Sequence, residues 1–200
     1  MISSYEYLEV LAPKITDELV ICTIAGISME WKHLNHRDGN LYHVYMTGTT
    51  AFALGLALSL PHRRVISFDG DGSMLMGLSL LPVIGQLNPS NLIVIVFDNE
   101  LYEATGNTST ATAGKADLVK MAQGAGIANT SLVEDLMDFE QTIDKAFKAD
   151  GTSFITAKAR APREPRASLK EVYGNIENKY CFIRYIEQTE NMQILRPEGS

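Results

Sequence analysis

The chain is short of cysteine, of positive charge and of long apolar runs, and each shortage removes a class of protein. Only Cys22 and Cys181 occur, far apart and without a Cys-x-x-Cys spacing, which argues against structural zinc, an iron–sulfur cluster and a disulfide framework. The 17 Lys and Arg stand against 24 Asp and Glu, a formal net charge of −7. With no basic run to offset it, that balance argues against nonspecific nucleic-acid binding. No stretch approaches the roughly 20 apolar residues that span a bilayer, and the polar opening MISSYEYLEV does not read as a signal peptide. No membrane partner is expected, and the cytoplasm is the expected location. No internal repeat is visible. Apolar residues are plentiful, 46% of 200, enough for the substantial core of one globular domain.

The informative stretch runs from Val65 to Thr110. Val65–Phe68 is a short apolar run that stops at Asp69-Gly70-Asp71-Gly72-Ser73, and Leu92–Phe97 is a second run that stops at Asp98-Asn99. The mostly apolar segment between them is long enough for a helix, so the order reads as strand, crossover helix, parallel strand. Both polar clusters then lie at the carboxyl edge of a parallel sheet, where open α/β folds bind ligands. Glycines at 70 and 72 permit positive φ and close ligand approach. Asp71 offers a carboxylate, and Asn99, 28 positions later, an amide oxygen. Hard oxygen donors of this kind suit Mg²⁺ with a diphosphate, and the N–H groups of Gly72 and Ser73 suit phosphate oxygens.

Other readings of Gly70-Asp71-Gly72 fit less well. A calcium loop counted from Asp69 needs glycine at its sixth place and glutamate at its twelfth, where Met74 and Leu80 stand. A dinucleotide-binding start needs glycine or alanine where Leu75 stands. A plain surface turn would explain Gly-Asp-Gly alone, and it is the second signal at Asp98-Asn99 that argues against it.

Gly70-Asp71-Gly72-Ser73 followed by Asp98-Asn99 resembles the cofactor motif of thiamine diphosphate enzymes, and Glu100–Asn107, ELYEATGN, is similar to the loop of the phosphonopyruvate and sulfopyruvate decarboxylase branch. The resemblance implies Mg²⁺ ligation by Asp71, Asn99 and the main-chain carbonyl of Leu101. It also implies cofactor contacts from Gly70, Gly72, Ser73 and Tyr102. Position 98 is aspartate where that family often has asparagine. Upstream, Met46 stands nine positions before Gly55, similar to the apolar wedge that bends the cofactor between its two rings; Gly48 joins it as a cofactor contact. Methionine suits an irregular gap, and an ordinary core methionine is the competing reading. Val44 and Thr47 depart from the glycines usual there.

The rest of the chain supplies scaffold. Residues 1–17 read as a helix on Tyr7, Val10, Leu11 and Ile15, followed by a strand over Leu19–Ile24. Met29–Tyr45 reads as an irregular loop carrying His33, His36 and His43, candidate proton donors or acceptors near neutral pH. Thr49–Leu60 is a helix apolar nearly all round, which points to burial in an interface. Pro82 places a helix start near Ser79 or a kink. Thr105–Gly114 is rich in Gly, Thr and Ser and reads as a mobile loop over the site, with a plain linker as the competing reading. A helix over Asp117–Gln123, a strand region at Gly126–Asn129, a helix near Val133–Ala149 and a last strand over Phe154–Ala159 complete the order. The expected fold is one doubly wound α/β domain, mainly parallel sheet with helices on both faces, over residues 1–160. Residues 161–200 form a connector, a helix on Ile176, Tyr180 and Ile183, and a frayed tail; Arg160–Arg166 is extended, and the tail starts at Gln193.

The resemblance covers roughly residues 18–160, room for the diphosphate-binding domain alone. It implies a pyrimidine-binding partner subunit carrying the glutamate that activates the cofactor, as in sulfopyruvate decarboxylase. The expected function is decarboxylation of a 2-oxo acid to an aldehyde with thiamine diphosphate and Mg²⁺. A carboligase or oxidoreductase subunit, or a noncatalytic regulatory module on the same fold, stays open.

Overall fold

The computed structural model describes residues 2–160 and 174–195. Six strands form one sheet: β1 (Leu19–Thr23), β2 (Asn40–Val44), β3 (Val65–Gly70), β4 (Leu92–Asp98), β7 (Asn129–Val133) and β8 (Ser153–Lys158). They lie in the order β2-β1-β3-β4-β8-β7, and every pair is parallel. Two short strands, β5 (Leu101–Tyr102) and β6 (Thr108–Ser109), form a separate antiparallel hairpin. From β1 the chain goes to β2 on one side and then to β3 on the other, so the topology reverses between β1 and β3. A crevice opens at such a switch point, outside the carboxyl ends of the strands.

The alternation in β4 shows how the core is built. Ile93, Ile95 and Phe97 join a cluster with Tyr7, Leu11, Trp31, Phe68 and Phe139. Leu92, Val94 and Val96 join the opposite cluster with Leu54, Met74, Ile84, Phe154 and Phe182. A strand buried on both faces reads as a continuous apolar run because each face takes every second residue. Helices α1 (Ser4–Leu11), α2 (Gly26–Leu34) and α7 (Leu136–Ala146) supply the first cluster. The second draws on α3 (Gly48–Ser59), α4 (Asp71–Met76), α5 (Leu80–Leu87), α6 (Leu118–Gly124) and α8 (Asn175–Glu190). Trp31 meets Phe68 edge-on, 5.0 Å between ring centroids, a geometry that adds roughly 1 kcal/mol to area burial.

Several elements differ from the sequence expectations. Met29–Tyr45 is not irregular: it contains most of α2 and all of β2. Its polar residues hid the order, because they are buried against tertiary partners. Ser4 Oγ donates to Glu30 at 2.7 Å, and Asn178 Nδ2 donates to the Asn40 carbonyl at 2.9 Å. The segment between the two motifs holds two helices; Ser79 stands at the N-cap position of α5 without a side-chain capping bond, and Pro82 sits in the first turn, where a missing N–H costs nothing. The seventh strand begins at Asn129, so Gly126–Ala128 precede it, and Val133 ends that strand instead of opening a helix.

On α8 the inward face is Asn178, Phe182 and Ile186, while Ile176 and Tyr180 are exposed. The apolar-face reading missed this because the inward position nearest β2 is polar. The outer face of α3, with Phe52 and Leu58, is exposed on this chain. Beyond its first residue the Arg160–Arg166 connector lies outside the described residues, as does the tail from residue 196.

Candidate functional site

The crevice at the switch point is a cleft of about 590 Å³, part of it open to solvent. Thr23 to Ile27, at the end of β1 and the start of α2, form one wall. Gly70, Asp71, Gly72 and Ser73 form the floor where β3 passes into α4, and Asn99, Leu101, Tyr102 and Glu103 form the wall beyond β4. Met46 enters from the segment between β2 and α3. Register explains the meeting: Gly70 pairs with Phe97 across β3 and β4, so Asp71 and Asp98 leave the sheet side by side.

Asp71 is the first residue of α4 and is 2% exposed. Its Oδ2 accepts from the Thr110 hydroxyl at 2.6 Å and lies 3.1 Å from Thr112 Oγ1. Burial pushes its carboxyl above the ordinary aspartate range; the Thr110 bond opposes this, and the neighbouring Asp98 adds to it. Asp98 is also buried, with Oδ1 accepting from Thr112 at 2.7 Å and Oδ2 2.9 Å from Lys158 Nζ. The next residue folds back as an Asx turn: Asn99 Oδ1 accepts from the Leu101 N–H at 3.0 Å, and its Nδ2 donates to the Glu103 carboxylate. Glu100, between them, has φ 65°.

A second polar set braces the floor from below. Asp69 is 1% exposed; it accepts from Thr50 Oγ1 of α3 at 2.8 Å and from the Gly70 N–H at 3.0 Å. Ser73 Oγ accepts from the Thr47 N–H at 3.0 Å. These bonds tie the Asp-Gly-Asp-Gly turn to the start of α3, and hence to Met46. The donor set on the cleft is one buried carboxylate, one amide oxygen and the main chain at Leu101, which are hard oxygen ligands. Among the described residues no three His, Cys, Asp or Glu side chains gather as a metal site, so a cation here would rest on these mixed donors and on the ligand's own oxygens.

The cleft thus brings together Met46, Gly70, Asp71, Gly72, Ser73, Asn99, Leu101 and Tyr102 from the sequence analysis. Gly48 lies beneath, at the start of α3, packed against the Tyr45 ring. The three histidines are not in the cleft lining. His33 is exposed near the Tyr5 ring, His36 Nδ1 is 3.2 Å from the Tyr42 hydroxyl, and His43 stands in β2 at φ 55°, its N–H donating to Ser28 Oγ at 2.7 Å. Thr110, Thr112, Lys158 and Glu103 were missed as site residues. The only signal was the run of hydroxyls in Thr108–Thr112; Lys158 gave none, since its partner is remote in sequence.

Comparison with known proteins agrees with this geometry. Residues 26–157 match the family described as thiamine pyrophosphate enzyme, C-terminal TPP binding domain. The chain is 31% identical over 180 residues to sulfopyruvate decarboxylase subunit beta of Methanococcus maripaludis, covering 90% of this chain and 96% of that one. Against the protein of the same name from Methanocaldococcus jannaschii it is 34% identical, covering 86% and 90%. Phosphonopyruvate decarboxylase of Streptomyces viridochromogenes is 34% identical over 72% of this chain, but only 36% of its own length is covered. Among solved structures, the thiamine diphosphate-dependent 4-hydroxybenzoylformate decarboxylase of Rhodococcus jostii RHA1 superposes with TM-score 0.69 at 21% identity, over 81% of this chain and 33% of that one. That last likeness concerns the fold. With a doubly wound parallel sheet, a cleft at its switch point and these matches, the chain belongs to the thiamine pyrophosphate enzyme family, as a C-terminal-type TPP-binding domain of the sulfopyruvate decarboxylase beta-subunit kind.

Proposed function

We propose that this chain is the diphosphate-binding subunit of a two-chain thiamine diphosphate-dependent decarboxylase that converts a 2-oxo acid, of the sulfopyruvate or phosphonopyruvate type, to CO₂ and an aldehyde. The observation that carries the reading is the convergence of Asp71 and the Asn99–Leu101 turn on one cleft from adjacent parallel strands. In this reading Asp71, Asn99 and the Leu101 carbonyl hold Mg²⁺. A cation fits this donor set, because a buried carboxylate, an amide oxygen and a main-chain carbonyl are all hard oxygen ligands. The N–H groups at the start of α4 face the diphosphate, and Gly70, Gly72, Ser73 and Tyr102 shape its seat. Met46, half-buried on the opposite wall, serves as the wedge under the cofactor's rings.

When bound, the cofactor supplies the electron sink for the pair released as CO₂ departs. The protein's part is to orient it, screen its charge and limit water. A partner subunit supplies the pyrimidine-side glutamate. The coverage figures support this split: the chain spans nearly all of a relative named subunit beta, but about a third of a phosphonopyruvate decarboxylase and of a Methanosarcina acetivorans protein named sulfopyruvate decarboxylase. Histidine catalysis would require the partner to bring substrate toward the β2 edge, since none of the three lines the cleft. Among the described residues no helix is long and apolar enough to cross a membrane, and the net charge of −7 disfavours nonspecific binding to nucleic acid.

The test is to purify the complex from its source cells and compare it with an Asp71→Ala version. Wild type should bind thiamine diphosphate only with Mg²⁺ and release aldehyde from a 2-oxo acid, and the variant should do neither. An Asp71→Ala complex with full activity would sink the assignment.

A further inference from the structure

Lys158 stands opposite Asp98 in the register of β8 and β4, at the strand ends that border the cleft. Its ammonium is 2.9 Å from Asp98 Oδ2 and 2.7 Å from Glu100 Oε1. Those two acids flank Asn99, so a single cation grips the chain on both sides of the residue that faces the cleft. The grip continues inward. Each hydroxyl has one proton: the short contacts direct Thr112's to Asp98 at 2.7 Å and Thr110's to Asp71 at 2.6 Å, with 2.8 Å between the two hydroxyl oxygens. The two hydroxyls thus donate outward, one to each carboxylate, and their packed oxygens set the spacing between the Lys158-bound Asp98 and Asp71.

We propose that Lys158 is a positioning residue of the cofactor–metal site: it clamps the Asp98–Glu100 turn that aims Asn99, and it supplies the charge that lets Asp98 stand beside Asp71. The inference rests on the Mg²⁺–diphosphate reading of the cleft. Lys158 does not line the cleft and acts through its neighbours. Two physical effects of removing it have opposite signs. As a mere nearby positive charge, Lys158 repels a cation, so its loss would tighten Mg²⁺ binding. As a clamp, its loss frees the turn and leaves Asp98 buried without a counter-charge, so Mg²⁺ binding weakens. Residues that orient metal ligands typically contribute about 10- to 100-fold in affinity, and we expect the clamp to win. Asparagine at 98 is isosteric and still accepts from Thr112 and the Glu100 N–H without needing a cation, so a second change there should repair the first.

The experiment titrates Mg²⁺ into the purified two-chain complex with thiamine diphosphate present, following cofactor binding by calorimetry. Cofactor-free thermal melts are run beside it. Lys158→Met should raise the half-saturating Mg²⁺ concentration by about tenfold or more, with the 2-oxo acid KM little changed. Asp98→Asn/Lys158→Met should recover most of that loss. A midpoint in Lys158→Met that is unchanged or lower overturns the inference, as does a variant that only melts earlier while its Mg²⁺ midpoint holds. A double variant no better than the single one overturns the charge-compensation half. Wild-type complex that binds the cofactor without regard to Mg²⁺ removes the underlying reading and this inference with it.

Discussion

The ring of Tyr102 occupies the space that a side chain at position 72 would need. A Cβ built on Gly72 falls 2.5 Å from both Cδ1 and Cε1 of that ring, far inside van der Waals contact. Gly72 has ordinary helical backbone within α4, so glycine is required here by close approach and not by conformation. The same Tyr102 pairs with Thr108 in the small hairpin β5–β6, whose far end delivers Thr110 to Asp71.

Gly72→Ala should therefore push Tyr102 and the hairpin away from the floor and weaken cofactor binding, on the order of tenfold or more. Gly72→Ala/Tyr102→Ala should restore the space. Calorimetric binding of thiamine diphosphate with Mg²⁺ distinguishes them; equal binding by Gly72→Ala and wild type would show that the ring moves freely.

Asn178 on α8 closes the edge of the sheet. Its Oδ1 accepts from the Tyr42 N–H at 2.9 Å and its Nδ2 donates to the Asn40 carbonyl at 2.9 Å, so one carboxamide completes the outer ladder of β2. Asn178→Ala would leave both groups unpaired in a buried place, a cost of about 2 kcal/mol, or about 6 °C in Tm for a chain of this size. Thermal unfolding should show that drop while kcat holds. An unchanged Tm would mean that β2 needs no partner there.

At the start of α1, Ser3 and Glu6 form a reciprocal cap. The Ser3 hydroxyl and N–H donate to Glu6 Oε2 at 2.7 and 2.8 Å, and Ser3 Oγ accepts from the Glu6 N–H at 3.3 Å. The Ser3 hydroxyl bond, then its backbone bond, hold the Glu6 carboxyl below the ordinary glutamate range. A lowered folded pKa stabilises fully above the unfolded value, about 4.3, and that contribution disappears as pH falls through the folded value. Wild type should thus be more stable than Glu6→Gln at pH 7, with the gap closing below about pH 4. A pH-independent gap in urea unfolding would contradict the cap's charge.

The wedge and the histidines separate by position. Met46→Gly should leave the Mg²⁺ midpoint nearly unchanged and lower kcat, because it removes packing under the rings and no metal donor. His33→Gln and His36→Gln should leave kcat within about twofold, since surface changes away from a site are close to neutral. Steady-state kinetics on the complex would read both. A large kcat loss in either histidine variant would mean that the partner brings substrate to the β2 edge.

Much of this protein is legible in its sequence. Short continuous apolar runs ending in Gly-Asp-Gly and Asp-Asn mark the parallel strands and the edge where the cleft lies, because apolar runs and the turn residues that stop them are local properties. The second helix and β2 were not legible. Glu30, Lys32 and Asn40 are polar yet buried; Ser4 of α1 holds Glu30, and Asn178 of α8 holds the Asn40 carbonyl. The α8 face was misread for the same reason, since Asn178 faces inward to serve a backbone edge that no nearby residue reveals.

The sequence by itself determined the central strands that end in Gly-Asp-Gly and Asp-Asn and the residue types at their ends, since each follows from local pattern and chemistry. Only the tertiary structure decided what holds them in place. Lys158 meets Asp98 because β8 is inserted between β4 and β7. Thr110 reaches Asp71 because a hairpin folds back over the floor. Those contacts join residues 60 and 39 positions apart, and strand order, which no local pattern encodes, is what brings such residues within bonding distance.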